Sequence, residues 1–274
     1  MLSTFSPAMI FHLFNSTVTV KPMDSQTVLL FTRNGLGDAP ADLGEDSPLP
    51  VTFRIDRKRP VADQVYDALK SAIVSVALPP GTSISENRIC RHFGVSRTPV
   101  RAAIVRLVED ELIDVFPQQG SFVSPISLPT IRDSHFVRRC LEVAVLEEVA
   151  KRWDAALSAR ARAVLARQEA AVEMGDVDEF HRADEAFHRN FALCAGLAGV
   201  WNTIQGAKAR VDRLHRLAAV RGRLREVLVE HAAILEALDR GEGREAARRL
   251  EHHLDRILEL LDALKARHAQ YFVG

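Results

Sequence analysis

The sequence has few of the features that mark secreted, membrane-spanning or zinc-finger proteins. Its 274 residues include only three cysteines, which are far apart and odd in number: Cys90, Cys140 and Cys194. Their number and spacing argue against a disulfide framework and fit a reducing cytoplasm. No two of them form the Cys-x-x-Cys pair of a zinc finger. No run approaches the roughly 18 apolar residues of a membrane helix. We therefore expect a cytoplasmic protein that does not associate with membranes.

The chain also lacks net charge, since 36 Lys and Arg residues balance 36 Asp and Glu residues. No overall field draws it toward nucleic acid, although a local basic patch can be sufficient. Such a patch lies between Arg88 and Arg106, which contains five arginines and no acidic residue. Acidic residues return directly afterwards, at Glu109. The basic charge is therefore concentrated on one short segment.

That segment has the pattern of a helix-turn-helix. Gly94 permits a tight turn between two helices, and Ser96 is a good N-cap for the second. Arg97 and Arg101 are four residues apart and share one helix face. Apolar residues at helical spacing mark a second, buried face: Val100, Ile104, Leu107 and Val108. Since guanidinium groups bind guanine edges and phosphates well, the pattern predicts a DNA-reading helix.

The rest of the chain divides by composition and periodicity. Residues 1–55 lack a sustained period and predict a flexible leader, and Met23 is an alternative start, so translation of residues 1–22 stays open. Residues 56–124 predict three helices and a β-hairpin, the order of a winged helix-turn-helix domain. Residues 125–129 predict a linker, and 130–270 predict a six-helix bundle. The expected fold is mainly α.

From about residue 60 the sequence resembles GntR-family transcription regulators of the FadR subfamily. The first domain carries the resemblance at Leu78–Gly81, Ser85–Glu86, Gly94–Arg101 and Gly120–Val123. The second resembles an FCD effector domain at Asp184–His188, Glu230–Leu235 and His253–Leu254. Six helices rather than seven resemble the VanR-like branch. The resemblance implies a homodimer that binds a short palindromic operator in double-stranded DNA, and an effector domain that binds a small carboxylate beside a metal ion.

The predicted DNA contacts lie on the second helix of the motif and at the wing tip. They are Ser96, Arg97, Thr98, Arg101, Gln119 and Gly120. The arginines are expected to reach base edges or phosphates in the major groove. The two hydroxyls are expected to contact phosphates, and the wing tip is expected to approach the minor groove. The family usually has a basic residue directly after the Ser-Glu pair, where this chain has Asn87. The contact is lost, weakened to a hydrogen bond, or made by Arg88 instead.

The resemblance implies a metal site formed by Asp184, His188, His231 and His253. Asp184 and His188 are at i and i+4, so both project from one helical face. One carboxylate and three imidazoles suit Zn²⁺, Ni²⁺, Mn²⁺ or Fe²⁺. Two arginines are candidates to bind the carboxylate effector by bidentate hydrogen bonds: Arg138 and Arg213.

The predicted function is a ligand-responsive transcription regulator, expected to be a repressor rather than an enzyme. A metal-sensing regulator would use the same four ligands, with the metal itself as the signal. A metal-dependent hydrolase is chemically conceivable, because open coordination positions can activate water. However, the sequence contains no His-Glu-x-x-His, no Gly-x-Ser-x-Gly and no phosphate-binding glycine loop.

Overall fold

The computed structural model describes residues 49–51 and 54–274, together with two short antiparallel strands, β1 (His12–Leu13) and β2 (Ser16–Thr17). Most of the predicted leader, 1–55, therefore lies outside the described residues. Its end belongs to the first domain. Leu49 is buried in that domain's core, and Val51 and Ile55 pack against it.

The first domain has three helices and a three-stranded antiparallel sheet. Its elements are α1 (Val61–Val74), β3 (Ser83–Ile84), α2 (Glu86–Phe93), α3 (Arg97–Glu109), β4 (Ile113–Phe116) and β5 (Gly120–Val123). The strand order is β3-β5-β4, with Phe116 opposite Gly120 at the hairpin turn. The expected buried faces form the core, including Leu69 on α1 and Leu107 on α3. The winged helix-turn-helix prediction is confirmed.

Local sequence explains where α2 and α3 begin and end. The Ser85 hydroxyl accepts a hydrogen bond from the Arg88 amide and so caps α2. Gly94 ends α2 in the left-handed region, at a φ of 63°, where a Cβ is disfavoured. Ser96 occupies the N-cap position of α3, but its side chain makes no capping hydrogen bond. The predicted N-cap position of Ser96 is confirmed, and the predicted hydrogen bond of its hydroxyl is not.

The second domain is all helical and confirms the predicted bundle. Its six long helices are α4 (Leu128–Ala150), α5 (Ala155–Met174), α6 (Val177–Cys194), α7 (Ala198–Leu217), α8 (Arg221–Asp239) and α9 (Gly243–Glu259). A short helix not expected from the sequence, α10 (Leu261–Arg267), and a 3₁₀ turn (Ala269–Tyr271) follow α9. Among the helices described, none is both long and apolar enough to cross a membrane.

The segment predicted as a linker, 125–129, is ordered by pairing with the C-terminus. Strand β6 (Ile126–Ser127) runs parallel to β7 (Phe272–Val273). The Ser127 hydroxyl accepts from the Thr130 amide, and Pro129 lies in the first turn of α4. Helix α4 consequently begins two residues before the domain boundary expected from the sequence.

Candidate DNA-reading face and metal centre

Helix α3 presents its two predicted reading arginines to solvent. Arg97 Nη2 donates to Asn87 Oδ1 over 3.1 Å, and Arg101 Nε pairs with Glu86 Oε2 at 2.9 Å. The Arg101 side chain is 62% exposed. Exposed pairs of this kind contribute only about 0–1 kcal/mol, so both guanidinium groups can exchange these partners for DNA at little cost. Ser96 and Thr98 are exposed beside them.

Asn87 and Arg88, the two candidates for the DNA contact after the Ser-Glu pair, have different surroundings. Asn87 is exposed and contacts Arg97, whereas Arg88 is only 6% exposed. Asn87 therefore stands on the reading surface, and Arg88 points into the domain.

The wing tip is formed by exposed residues in an unusual backbone conformation. Gln118 has a φ of 63° and Gly120 a φ of 114°. The second value is one that residues with a Cβ rarely adopt, which explains a glycine at this position. Gln119 and Gly120 are both exposed at the end of the hairpin, which is a separate element from α3.

A polar cluster that no sequence pattern predicts joins the end of α3 to α1. Lys70 Nζ lies 2.8 Å from Asp110 Oδ2, and the Tyr66 hydroxyl donates to the same oxygen. The Arg106 guanidinium stacks over the Tyr66 ring, 3.8 Å from its centroid. These contacts fix the orientation of the reading helix within its domain.

The second domain brings the predicted metal ligands together. His188 on α6, His231 on α8 and His253 on α9 place one ring nitrogen each within 4.8 Å of the others. His231 Nε2 and His253 Nε2 are 3.3 Å apart. Asp184 Oδ1 lies 3.9 Å from His188 Nε2 and 3.8 Å from His231 Nε2. All three histidines are buried, so packing within the domain holds them close together.

Each histidine has a polar partner on its other ring nitrogen. His231 Nδ1 bonds Gln168 Oε1 at 2.8 Å, and His253 Nδ1 bonds Glu230 Oε2 at 2.7 Å. His188 Nδ1 lies 2.6 Å from a carboxylate oxygen of Glu142. The two hydrogen bonds fix the tautomers of His231 and His253 and leave Nε2 as their lone-pair nitrogen, the usual arrangement around a bound metal. The residues present therefore fit a transition metal. Gln168 and Glu142 lie in no motif of the sequence, and Glu230 lies in the FCD-like stretch Glu230–Leu235 with no role of its own predicted there.

The electrostatics favour the protonation states that bind metal. Burial lowers the pKa of His231 well below its ordinary 6.5, and burial also lowers the pKa of His253, so both imidazoles are neutral. Burial alone would raise the pKa of Asp184, but the neighbouring basic groups, Lys208 first among them, together outweigh it and hold that pKa well below the ordinary value. Lys208 Nζ lies 3.3 Å from Asp184 and 2.7 Å from Asp212.

The two predicted effector arginines have different surroundings. Arg138 is buried and its Nε donates to Glu142 Oε1 over 2.7 Å, so it adjoins the histidines through that carboxylate. Arg213 is not brought to the metal ligands. Its Nη2 donates to the Ser124 backbone oxygen over 2.6 Å, and burial lowers its pKa to about 10. Arg213 thus lies where the two domains meet.

Helix α7 makes a second contact with the first domain. Arg210 Nε donates to the Asp110 backbone oxygen over 3.2 Å, at the C-terminal end of α3. Lys208, on the same helix, contacts the predicted metal ligand Asp184. One helix therefore spans from the candidate metal centre to the end of α3.

Comparisons with known proteins match both domains of the chain. Residues 61–123 match the family model for bacterial regulatory proteins of the gntR family, and residues 133–256 match the FCD domain model. The HTH-type transcriptional repressor RspR of Escherichia coli K12 is 31% identical over 225 residues, which cover 82% of this chain and 99% of the relative. The chain belongs to the GntR family.

Other relatives and solved structures extend the comparison. The gluconate operon transcriptional repressor of Bacillus subtilis is 29% identical over 171 residues, covering 61% of this chain and 68% of the relative. The structure of E. coli McbR/YncC aligns with a TM-score of 0.66 at 21% identity, covering 74% of this chain and 97% of the other. The structure of a GntR regulator from Rhodococcus sp. RHA1 aligns with a TM-score of 0.63 at 25% identity, covering 74% of this chain and 98% of the other. This GntR protein is thus a transcription regulator with a DNA-binding and an FCD domain.

Proposed function

We propose that this GntR regulator is a repressor whose FCD domain binds a divalent transition metal and, beside it, a small carboxylate that changes operator affinity. The convergence of three buried imidazoles carries the proposal: two are hydrogen-bonded through Nδ1, and His188 Nδ1 lies 2.6 Å from Glu142. The ligands of the metal would be Asp184, His188, His231 and His253. RspR is a transcriptional repressor, which supports repression, and another relative is the repressor of a gluconate operon, which supports a carboxylate effector.

The residues around the centre suggest how an effector would be held. Four protein ligands leave coordination positions on a five- or six-coordinate ion that a carboxylate oxygen can fill. Arg138 is already paired with Glu142, so its first role is to keep that carboxylate ionised beside His188. Arg138 then supplies positive charge next to the centre that favours an anionic effector.

The same helix that contacts the metal ligands offers a route to DNA. Lys208 contacts Asp184, and about one and a half turns further along α7 Arg213 contacts Ser124 of the first domain. A ligand that moves Asp184 or Lys208 would shift α7 and with it the position of the reading helix. The energetic coupling must be reciprocal, so operator DNA would change effector affinity by the same factor.

DNA recognition would use both exposed parts of the first domain. Arg97 and Arg101 are proposed to read the major groove, with Ser96 and Thr98 on phosphates, and Asn87 beside them. Gln119 and Gly120 would approach the minor groove. A homodimer would place two such domains on a short palindrome, because operator symmetry mirrors protein symmetry.

One observation favours a second candidate, a regulator that senses the metal itself. Lys208 pairs with Asp184, so a metal bound by Asp184 would compete with a side chain of α7. Metal alone could then move the helix that reaches the DNA-binding domain. Hydrolysis is not proposed, because the chain lacks the motifs that would accompany a catalytic metal.

The decisive experiment measures metal, effector and operator binding on one preparation without a His tag. Elemental analysis and calorimetry with Zn²⁺, Ni²⁺ and Mn²⁺ test the metal. A thermal-shift screen of lactate, glycolate, gluconate and dicarboxylates, with metal present, then selects an effector. Operator affinity is finally measured with and without it. No bound metal would overturn the site, and metal that alone abolishes operator binding would favour the sensor.

A further inference from the structure

A turn before α1 concentrates basic side chains beside the reading helix. Residues 54–59 contain four cations against one carboxylate, Asp56. The four cationic residues are Arg54, Arg57, Lys58 and Arg59, and all of them are exposed. Within the described part of the chain, none of these four side chains forms a hydrogen bond or an ion pair. By contrast, both reading arginines are paired with α2.

The turn is placed next to the start of α3. Arg57 lines a surface cleft of about 400 Å³ whose lining also includes Gly94, Val95, Ser96 and Pro99. These residues form the turn and first residues of the reading helix. The basic turn therefore lies across a cleft from the end of α3 that would enter the major groove, where DNA phosphates flank the reading helix.

A buried glutamine fixes the conformation of the turn. Gln64 is 1% exposed, and its Oε1 accepts from the Asp56 amide over 2.8 Å. Its Nε2 donates to the backbone oxygens of Asp56, Arg59 and Pro60, at 2.8, 3.0 and 3.3 Å. The Asp56 carboxylate also accepts from the Lys58 amide at 2.9 Å, which occupies one of its oxygens within the turn. A fixed backbone lowers the entropy that ordering the turn on a partner would cost.

We propose that this basic turn, residues 54–59, is a second DNA contact that grips the phosphate backbone flanking the bases read by α3. The proposal rests on the proposed function and extends its footprint beyond the helix and the wing. Duplex DNA carries one negative charge per roughly 1.7 Å of helix axis, which suits a cluster of exposed cations. Phosphate contacts position a protein without reading sequence, so the turn would add affinity and leave base preference unchanged.

The test uses a duplex selected by the wild-type full chain from random-sequence DNA, and a random duplex as reference. The variant Arg57→Gln/Lys58→Gln/Arg59→Gln removes three charges and keeps the backbone that Gln64 holds. We expect its affinity for both duplexes to fall at least about tenfold, and the slope of log affinity against log salt to become shallower by about 2 to 3 per protomer. Fluorescence anisotropy at several salt concentrations measures both.

Two further variants make the result specific. Arg57→Lys/Arg59→Lys retains the charges and should retain the wild-type salt slope. Lys151→Gln/Arg240→Gln/Arg248→Gln removes three exposed charges from the second domain and should leave both affinity and slope unchanged. If the triple variant of the turn binds like the wild type at every salt concentration, the basic turn is not a DNA contact, while the proposed DNA-binding function stands. If the wild type itself selects no duplex, both proposals are overturned.

Discussion

His231 Nε2 faces His253 Nε2 at 3.3 Å, although the two residues lie on different helices and are 22 positions apart. Their outer nitrogens are held by Gln168 and Glu230. Two lone-pair nitrogens in direct contact repel each other unless a proton or a cation lies between them. The packing of α8 against α9 therefore creates a position between the two nitrogens that favours a proton or a metal cation.

Replacing His253 by Ala should abolish metal binding, since it removes one of three converging imidazoles. The natural control is His252→Ala, because His252 is the neighbouring residue on α9 and is exposed. Calorimetric titration with Zn²⁺ and Ni²⁺ compares the two variants. Equal metal affinity in both would place the metal elsewhere or exclude it.

Replacing Gln168 by Leu should weaken metal binding without removing a ligand. Gln168 holds His231 in position, and loss of such an outer partner typically costs about 10–100-fold in metal affinity. A Gln168→Glu variant retains an acceptor for His231 Nδ1 and should lose less. If both variants keep wild-type affinity, the orientation of His231 does not depend on this hydrogen bond.

The metal-free protein should lose stability as the pH falls below about 6.5. Burial lowers the pKa of His231 and of His253 in the folded state, whereas the unfolded chain titrates near 6.5. Below that pH the unfolded state binds more protons, so the free energy of unfolding decreases. Metal affinity should fall over the same range, because protons compete for the imidazoles. Thermal melting between pH 7.5 and 5, with chelator and with Zn²⁺, checks both. A melting temperature independent of pH would contradict the buried neutral histidines.

Sequence patterns predict the winged domain and the bundle because those depend on local periodicity and turn residues. Asp184 and His188 are one helical turn apart, so their spacing predicts their proximity. Only the family resemblance predicts that His231 and His253 join them. Gln168 and Glu142 carry no local signal, since their roles arise from helices meeting in space. Arg213 shows the limit most clearly: a guanidinium is equally suited to an effector and to a backbone carbonyl, and only the fold places it against Ser124.

Arg97→Ala should weaken operator binding and relax preference at the bases it reads. A bidentate guanine contact contributes about 1–3 kcal/mol of discrimination, so the loss on the selected duplex should exceed the loss on random DNA. Arg101→Ala should behave alike if it also reads a base. Arg139→Ala, an exposed arginine of the second domain, is the control. Equal weakening on all sequences, with a shallower salt dependence, would assign Arg97 and Arg101 to phosphates instead.

Arg213→Gln should separate effector binding from the response of DNA binding. Arg213 joins α7 to Ser124, so its loss removes one contact between the domains and leaves the metal ligands intact. Removing this buried hydrogen bond should cost about 1–3 kcal/mol of stability. Effector affinity without DNA should be unchanged, while the effector-induced change in operator affinity, typically 5–150-fold in coupled systems, should shrink. Arg216→Gln is the matched control, because Arg216 lies on the same helix but pairs with Asp178 inside the second domain. Anisotropy titrations of both variants, with and without effector, make the comparison. An undiminished response in Arg213→Gln would show that the signal reaches the reading helix by another route.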